Sequence, residues 1–166
     1  MRLSRWFLTA CLAILLVAGC GHKQVIQDVG RAPHPGGTFF QDSEIEQQLR
    51  VAADRWRGTP HRMGGSDRRG VDCSGLVQRM YQDLFGIQLP RTARQQSARG
   101  VRIKRSKLKP GDLVFFKPPG KLDHVGIYLG RGDFVHTSSR RGVTVSRLEA
   151  SYWKKHYWTA RRILPM

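Results

Sequence analysis

The chain has 166 residues, a quarter of them charged, with 29 Lys and Arg against 12 Asp and Glu. That length holds one domain and little more. The formal net charge of +17, with a pI near 11.0, implies attraction to an anionic partner. Nucleic acid is excluded by the N-terminus, which has the layout of a secretory leader.

Arg2 and Arg5 form the charged start of that leader, and Phe7 to Val17 form an apolar core broken only by Thr9. The run is short for a membrane span. The Leu16-Val17-Ala18-Gly19-Cys20 string that ends it is similar to a bacterial lipobox. The likeness implies removal of residues 1–19 and acylation of Cys20, with Gly21 favouring the outer membrane, facing the periplasm of a Gram-negative cell. Loss of Arg2 and Arg5 lowers the charge from +17 to +15. The anions within reach there are peptidoglycan, with its free carboxylates, and membrane phosphates. Cys11 leaves with the leader and Cys20 becomes a thioether, so Cys73 is the one free thiol and no internal disulfide can form.

Residues 20–42 read as the acylated cysteine and a tether, rich in Gly and Pro and without periodicity. A flexible tether of about 22 residues reaches about 25 Å. Residues 43–166 read as the folded domain. Ser43-Glu44-Ile45-Glu46 fits a capping box, followed by Ile45, Leu49, Ala52, Ala53 and Trp56 at helical spacing until Gly58 and Pro60. A second helix is expected to start near Cys73, bury Leu76, Val77, Met80 and Leu84, and stop at Gly86. A third, shorter one runs from Thr92 toward Ala98.

From Val101 the period changes to that of strands. Leu113–Phe116, His124–Leu129, Phe134–Thr137 and Val143–Val145 are short β-rich runs. Gly130-Arg131-Gly132-Asp133 joins two of them as a hairpin turn, so its Arg-Gly-Asp string is turn chemistry. The basic residues between Arg102 and Lys109 read as a strand or loop with a solvated face. Tyr152-Trp153 and Tyr157-Trp158 are expected to cover the sheet or add an edge strand. Helices first and an antiparallel sheet afterwards make an α+β domain.

The candidate chemistry centres on Cys73 in Asp72-Cys73-Ser74-Gly75. A helix start offers unpaired N–H groups and a positive dipole end, which lower a thiol pKa. His124 would take the thiol proton. His136, on the strand paired with it across the hairpin, would orient its ring, while the Cys73 N–H forms half of an oxyanion hole. The same three residues could in principle hold zinc, but no close ligand pair such as Cys-x-x-Cys or His-x-x-x-His is present. No metal or cofactor is therefore expected, and the chain reads as a monomeric cysteine peptidase.

Five motifs in this order are specific together: Asp72-Cys73-Ser74-Gly75-Leu76-Val77, Leu89-Pro90-Arg91-Thr92, Lys109-Pro110-Gly111-Asp112-Leu113-Val114-Phe115-Phe116, His124-Val125-Gly126-Ile127-Tyr128 and Phe134-Val135-His136. They resemble the NlpC-type papain-like cysteine peptidases over roughly residues 43–164. The resemblance implies a papain-like core and cleavage of peptidoglycan stem peptides next to diaminopimelate, with Cys73, His124 and His136 as nucleophile, base and orienting residue. D-alanyl–diaminopimelate cross-links are the expected bond. A D-glutamyl–diaminopimelate bond, or a weakly catalytic wall-binding lipoprotein, are the alternatives. Asp72 and Ser74 are further candidates for binding substrate or the oxyanion. One departure stands at the site, for the family usually has tyrosine where this chain has His61, in Thr59-Pro60-His61-Arg62-Met63-Gly64-Gly65.

Overall fold

The first helix, α1 (Asp42–Trp56), opens two residues ahead of the start expected after a Ser43 cap. In this computed structural model the described residues are 41–165. The expected leader, the expected lipidation at Cys20 and the expected tether up to residue 40 lie outside them. The cap is not Ser43 with Glu46. Gln41 precedes the helix, its N–H donating to Glu44 Oε2 at 3.4 Å. Glu46 is drawn away by cations instead, bonding Arg50 at 3.0 Å and Arg131 at 3.2 Å. The apolar spacing places Ile45, Leu49, Ala53 and Trp56 in the core.

A small hairpin, β1 (Ser66–Asp67) and β2 (Gly70–Val71), follows that the sequence pattern did not suggest. It leads into α2 (Cys73–Phe85), which ends at Gly86 in the left-handed conformation with φ 67°. Leu76, Val77, Met80 and Tyr81 are buried, and Leu84 is half-buried against them. The short α3 (Ala93–Gln96) is capped by Thr92, whose hydroxyl accepts from Gln95 N–H at 3.3 Å.

Six strands then build one antiparallel sheet: β3 (Val101–Ile103), β4 (Leu113–Phe116), β5 (His124–Gly130), β6 (Asp133–Ser138), β7 (Gly142–Arg147) and β8 (Tyr157–Arg162). Their spatial order is β3-β8-β4-β5-β6-β7. The two C-terminal aromatic pairs part ways. Tyr152 and Trp153 lie on α4 (Ser151–His156), whereas Tyr157 and Trp158 start β8. That strand is not an edge: β3 and β4 flank it, and its adjacent Thr159 and Ala160 are both buried, as a strand covered on both faces requires.

Alternation along β4 sends Leu113 and Phe115 to one face and Val114 and Phe116 to the other. On the first face they meet α1 and α2. On the second, Phe116, Phe134, Leu148 and Ala160 form a smaller cluster under Tyr128, Trp153 and Tyr157. Each fully buried phenylalanine is worth about 1.5–3 kcal/mol. The α+β reading holds, with both faces of the sheet covered. Between β5 and β6, Arg131 (φ 56°) and Gly132 (φ 85°) both take positive φ, the geometry of a type I′ turn.

Candidate active site

Asp72 fixes where α2 begins. Its carboxylate accepts from Gly75 N–H at 2.7 Å and from Gly64 N–H at 2.8 Å. Ser74 Oγ donates to it at 3.1 Å, and Arg91 grips both oxygens at 2.9 and 2.6 Å. Burial works against ionisation of Asp72, but Arg91 and the Gly75 and Gly64 N–H groups outweigh it and hold the carboxyl below the usual carboxylate range. Arg91 also donates to Ser74 Oγ at 3.0 Å. Gln96 Nε2 ties α3 to the same turn, donating to the Ser74 carbonyl at 3.1 Å and the Pro90 carbonyl at 2.8 Å. Asp72 and Ser74 are each only 6% exposed, and their polar atoms are spent on holding the helix start.

Cys73 is therefore the first residue of α2, as its context suggested. Its thiol faces the Val125 N–H at the start of β5, one of the groups that favour its ionised form. The thiol pKa differs from expectation. Burial pushes it up, the Asp72 charge adds to that, and the N–H groups of Val125, Ser74 and Cys73 offset it only in part. A helix start is visible in sequence; the apolar packing of Cys73 against the core is not.

His124 and His136 do come together. Nε2 of His124 and Nδ1 of His136 share a hydrogen bond at 3.0 Å, and Nε2 of His136 meets Ser146 Oγ on β7 at 3.0 Å. They sit diagonally on one sheet face rather than directly opposite. Gly126 lies between them, where a Cβ would stand 3.3 Å from His136 Cβ and 2.6 Å from both Phe134 and the Val135 carbonyl. The rings are enclosed by aromatics: Trp153 stacks on His124 (centroids 5.4 Å apart, planes at 23°), and Phe134 stacks on His136 (4.9 Å, 23°). Trp153 also meets His136 edge-on at 4.7 Å. Burial, with a smaller effect of His61, pushes His124 down to about 4. Burial and the neighbouring His124 push His136 down to about 3. At neutral pH the resting pair is thiol and neutral imidazole, not thiolate and imidazolium.

Cys73, His124, His136 and His61 all border one open cleft of about 1090 Å³. His61 is half-buried there, its backbone bridged in parallel to Val71. With Nε2 of His124 taken by His136, Nδ1 is the nitrogen left for the cleft. If His136 donates Nε2–H to Ser146, its Nδ1 accepts from His124 and leaves His124 Nδ1 unprotonated, the form a general base needs. Among the described residues no group of three His, Cys, Asp or Glu side chains is arranged to hold a metal ion.

Three members of this arrangement escaped the sequence reading: Ser146, Trp153 and the Arg91–Asp72 pair. Arg91 had a signal, since it lies within one of the five motifs, but nothing in the string pointed to its partner.

Comparison with known proteins agrees with the geometry. The chain is 42% identical over 159 residues to the probable endopeptidase NlpC of Escherichia coli, covering 95% of this chain and 99% of that one. It is 47% identical over 126 residues to murein DD-endopeptidase MepS/murein LD-carboxypeptidase of the same species, covering 76% of this chain and 67% of that one. The crystal structure of an NlpC/P60 family protein from Bacillus cereus superposes with a TM-score of 0.67 at 32% identity, over 72% of this chain and 40% of that one. The NlpC/P60 family model itself matches residues 58–162, and the chain belongs to that family of cysteine peptidases.

Proposed function

We propose that this chain is a peptidoglycan endopeptidase that hydrolyses stem-peptide amides next to diaminopimelate, D-alanyl–diaminopimelate cross-links in particular. The observation that carries this reading is the His124–His136–Ser146 chain of hydrogen bonds, whose two histidines line the cleft that Cys73 also borders.

In the mechanism, the Cys73 proton passes to Nδ1 of His124 as the sulfur attacks the scissile carbonyl carbon. Each charge is costly alone in this buried setting, so the pair forms together, when substrate has excluded water. The Cys73 N–H meets the developing oxyanion. His124 returns its proton to the leaving amine, the C–N bond breaks, and a thioester remains on Cys73. Water, deprotonated by His124, then releases the acyl product and regenerates the thiol. His136 holds the His124 ring throughout as a positioning residue. The experiment is incubation of the protein with defined cross-linked muropeptides and identification of products by mass. Loss of cleavage after alkylation, with no effect of a chelator, is expected. Chelator inhibition reversed by zinc would overturn the thiol mechanism.

His61 is the proposed second oxyanion donor, in the place where the family usually has tyrosine. Its ring faces the same cleft and offers one donor as a neutral imidazole. Turnover of His61→Ala is expected to fall by up to roughly 10²-fold, while His61→Tyr keeps or raises activity. Wild-type turnover in a folded His61→Ala variant would make His61 a bystander.

Residues 1–19 are proposed as a cleaved leader, Cys20 as the acylated anchor in the outer membrane, residues 21–42 as the tether, and residues 43–166 as the peptidase domain facing the periplasm. The lipobox and the apolar run ahead of it support this assignment. Cys20→Ala should move the protein from the membrane fraction to the soluble periplasm, and unchanged fractionation would count against it.

A further inference from the structure

The cleft carries charge that the thiol chemistry does not use. Arg94 reaches its edge from α3, Lys121 from the loop between β4 and β5, and Arg140 from the turn between β6 and β7. All three are exposed, and none is in an ion pair among the described residues. Lys121 Nζ lies 5.9 Å from the Tyr152 ring centroid, a contact that leaves its donors available. Two carboxylates border the same cleft. Asp72 is spent on Arg91 and the helix start, which leaves only Asp123 to offset three cations. Neutral Cys73 and His124 add no charge of their own at rest.

Three cations from three separate elements, converging on a cleft with a surplus of positive charge, fit a ligand that carries carboxylates on both sides of the reacting bond. Guanidinium groups match carboxylates two hydrogen bonds at a time, and an ammonium adds a point charge. An amide in place of a carboxylate keeps the shape and loses the charge.

We propose that Arg94, Lys121 and Arg140 form a carboxylate-reading subsite, so that the enzyme distinguishes stem peptides with free acidic carboxylates from the same peptides with those carboxylates amidated. This inference rests on the peptidoglycan reading above and refines it. The subsite acts on binding, so its effect falls on KM and on the dissociation constant, not on the chemical step.

The test uses the full-length protein in detergent and two matched cross-linked muropeptides, one with free and one with amidated carboxylates. Binding is measured with the Cys73→Ala variant and hydrolysis with the active protein. The free form is expected to bind and react roughly 10- to 100-fold better at low salt, with the advantage shrinking as salt rises. Combined Arg94→Gln, Lys121→Gln and Arg140→Gln substitution should erase the preference. The same number of charges removed away from the cleft, at Arg99, Arg102 and Lys104, should keep it. Equal affinity for the two muropeptides overturns the subsite. So does a preference that survives the cleft triple substitution, or one that the distant substitutions erase equally, which would be long-range steering instead. If the preference is found and neither muropeptide is cut by the active protein, the subsite stands and the endopeptidase reading falls.

Discussion

The two halves of the cleft are held by opposite physics. The Cys73 half rests on charge: one buried carboxylate, Asp72, gathers two backbone N–H groups, a hydroxyl and the Arg91 guanidinium around the first turn of α2. The histidine half rests on apolar packing, with Trp153, Phe116 and Phe134 around two neutral rings joined in single file to Ser146. Charge fixes position and survives partial exposure, whereas aromatic enclosure fixes position and also suppresses ionisation. The difference teaches where pH acts. The placement of Cys73, the proposed nucleophile, depends on a carboxylate that titrates in acid, and the protonation of His124, the proposed base, depends on how dry its pocket stays.

The strongest test asks whether the halves act as one unit. Cys73→Ala and His124→Ala should each lower turnover by at least roughly 10³-fold, and the double variant should be no worse than either. Multiplying losses in steady-state kinetics would separate the two halves and break the comparison at its root.

Removing the guanidinium tests the charged half alone. Arg91→Met leaves Asp72 buried without its partner, and breaking such a pair costs several kcal/mol when it is fully enclosed. Arg91 is 38% exposed, so solvent screening reduces the expected loss to about 1–3 kcal/mol, read from the urea midpoint. The sign with pH follows from the depressed Asp72 carboxyl. Its contribution is present above the ordinary value of 3.8 and is lost as pH falls through the lower folded value. Wild type and variant should therefore converge in acid and differ most near neutrality.

Opening the aromatic half should act on pH more than on stability. With His124 near 4, the acid limb of the pH–rate profile should lie well below the ordinary 6.5. Trp153→Ala admits water to the ring, so the limb should move upward, toward 6.5, with turnover down by roughly 10-fold if ring orientation loosens. An acid limb that does not move would show that Trp153 is not what keeps His124 dry.

Ser146→Ala removes the last link of the file and should have the smallest effect. One hydrogen bond of about 0.5–1.5 kcal/mol corresponds to a roughly 2- to 10-fold loss in kcat with KM unchanged. Ser146→Thr should restore it, since a hydroxyl returns to the same place. A shift in KM instead would mean that Ser146 shapes the cleft and does not position His136.

Legibility in the sequence follows the same division between local and distant causes. The start of α2 is written in four adjacent residues, Asp72 to Gly75, and the β5–β6 turn in Arg131 and Gly132. Both were therefore readable, and the β5–β6 hairpin permitted His124 and His136 to share one face, where they meet diagonally. Arg91 reaches Asp72 across 19 positions and His136 reaches Ser146 across 10, through partners whose choice depends on where separate elements come to rest. Trp153 was legible as an aromatic and not as the cover over His124, because that place depends on how α4 packs beside a sheet in which β8 lies between β3 and β4. The thiol pKa was misjudged for the same reason. Helix position is a local property, and burial belongs to the assembled core.

The stacking of Trp153 on His124 makes the site legible to light. A protonated imidazole in contact with an indole accepts an electron from its excited state and quenches its fluorescence, while a neutral imidazole does so poorly. The indole 5.4 Å from the His124 ring is thus an optical gauge of that ring's charge. Emission from Trp153 should stay level through pH 6.5 and dim only near 4, where His124 ionises. Because the proposed cycle puts a proton on His124 at neutral pH, a rapid-mixing trace should dim as the sulfur attacks the carbonyl and brighten as the leaving amine departs with that proton and the thioester is left. Each turnover would then be visible without a label on enzyme or substrate.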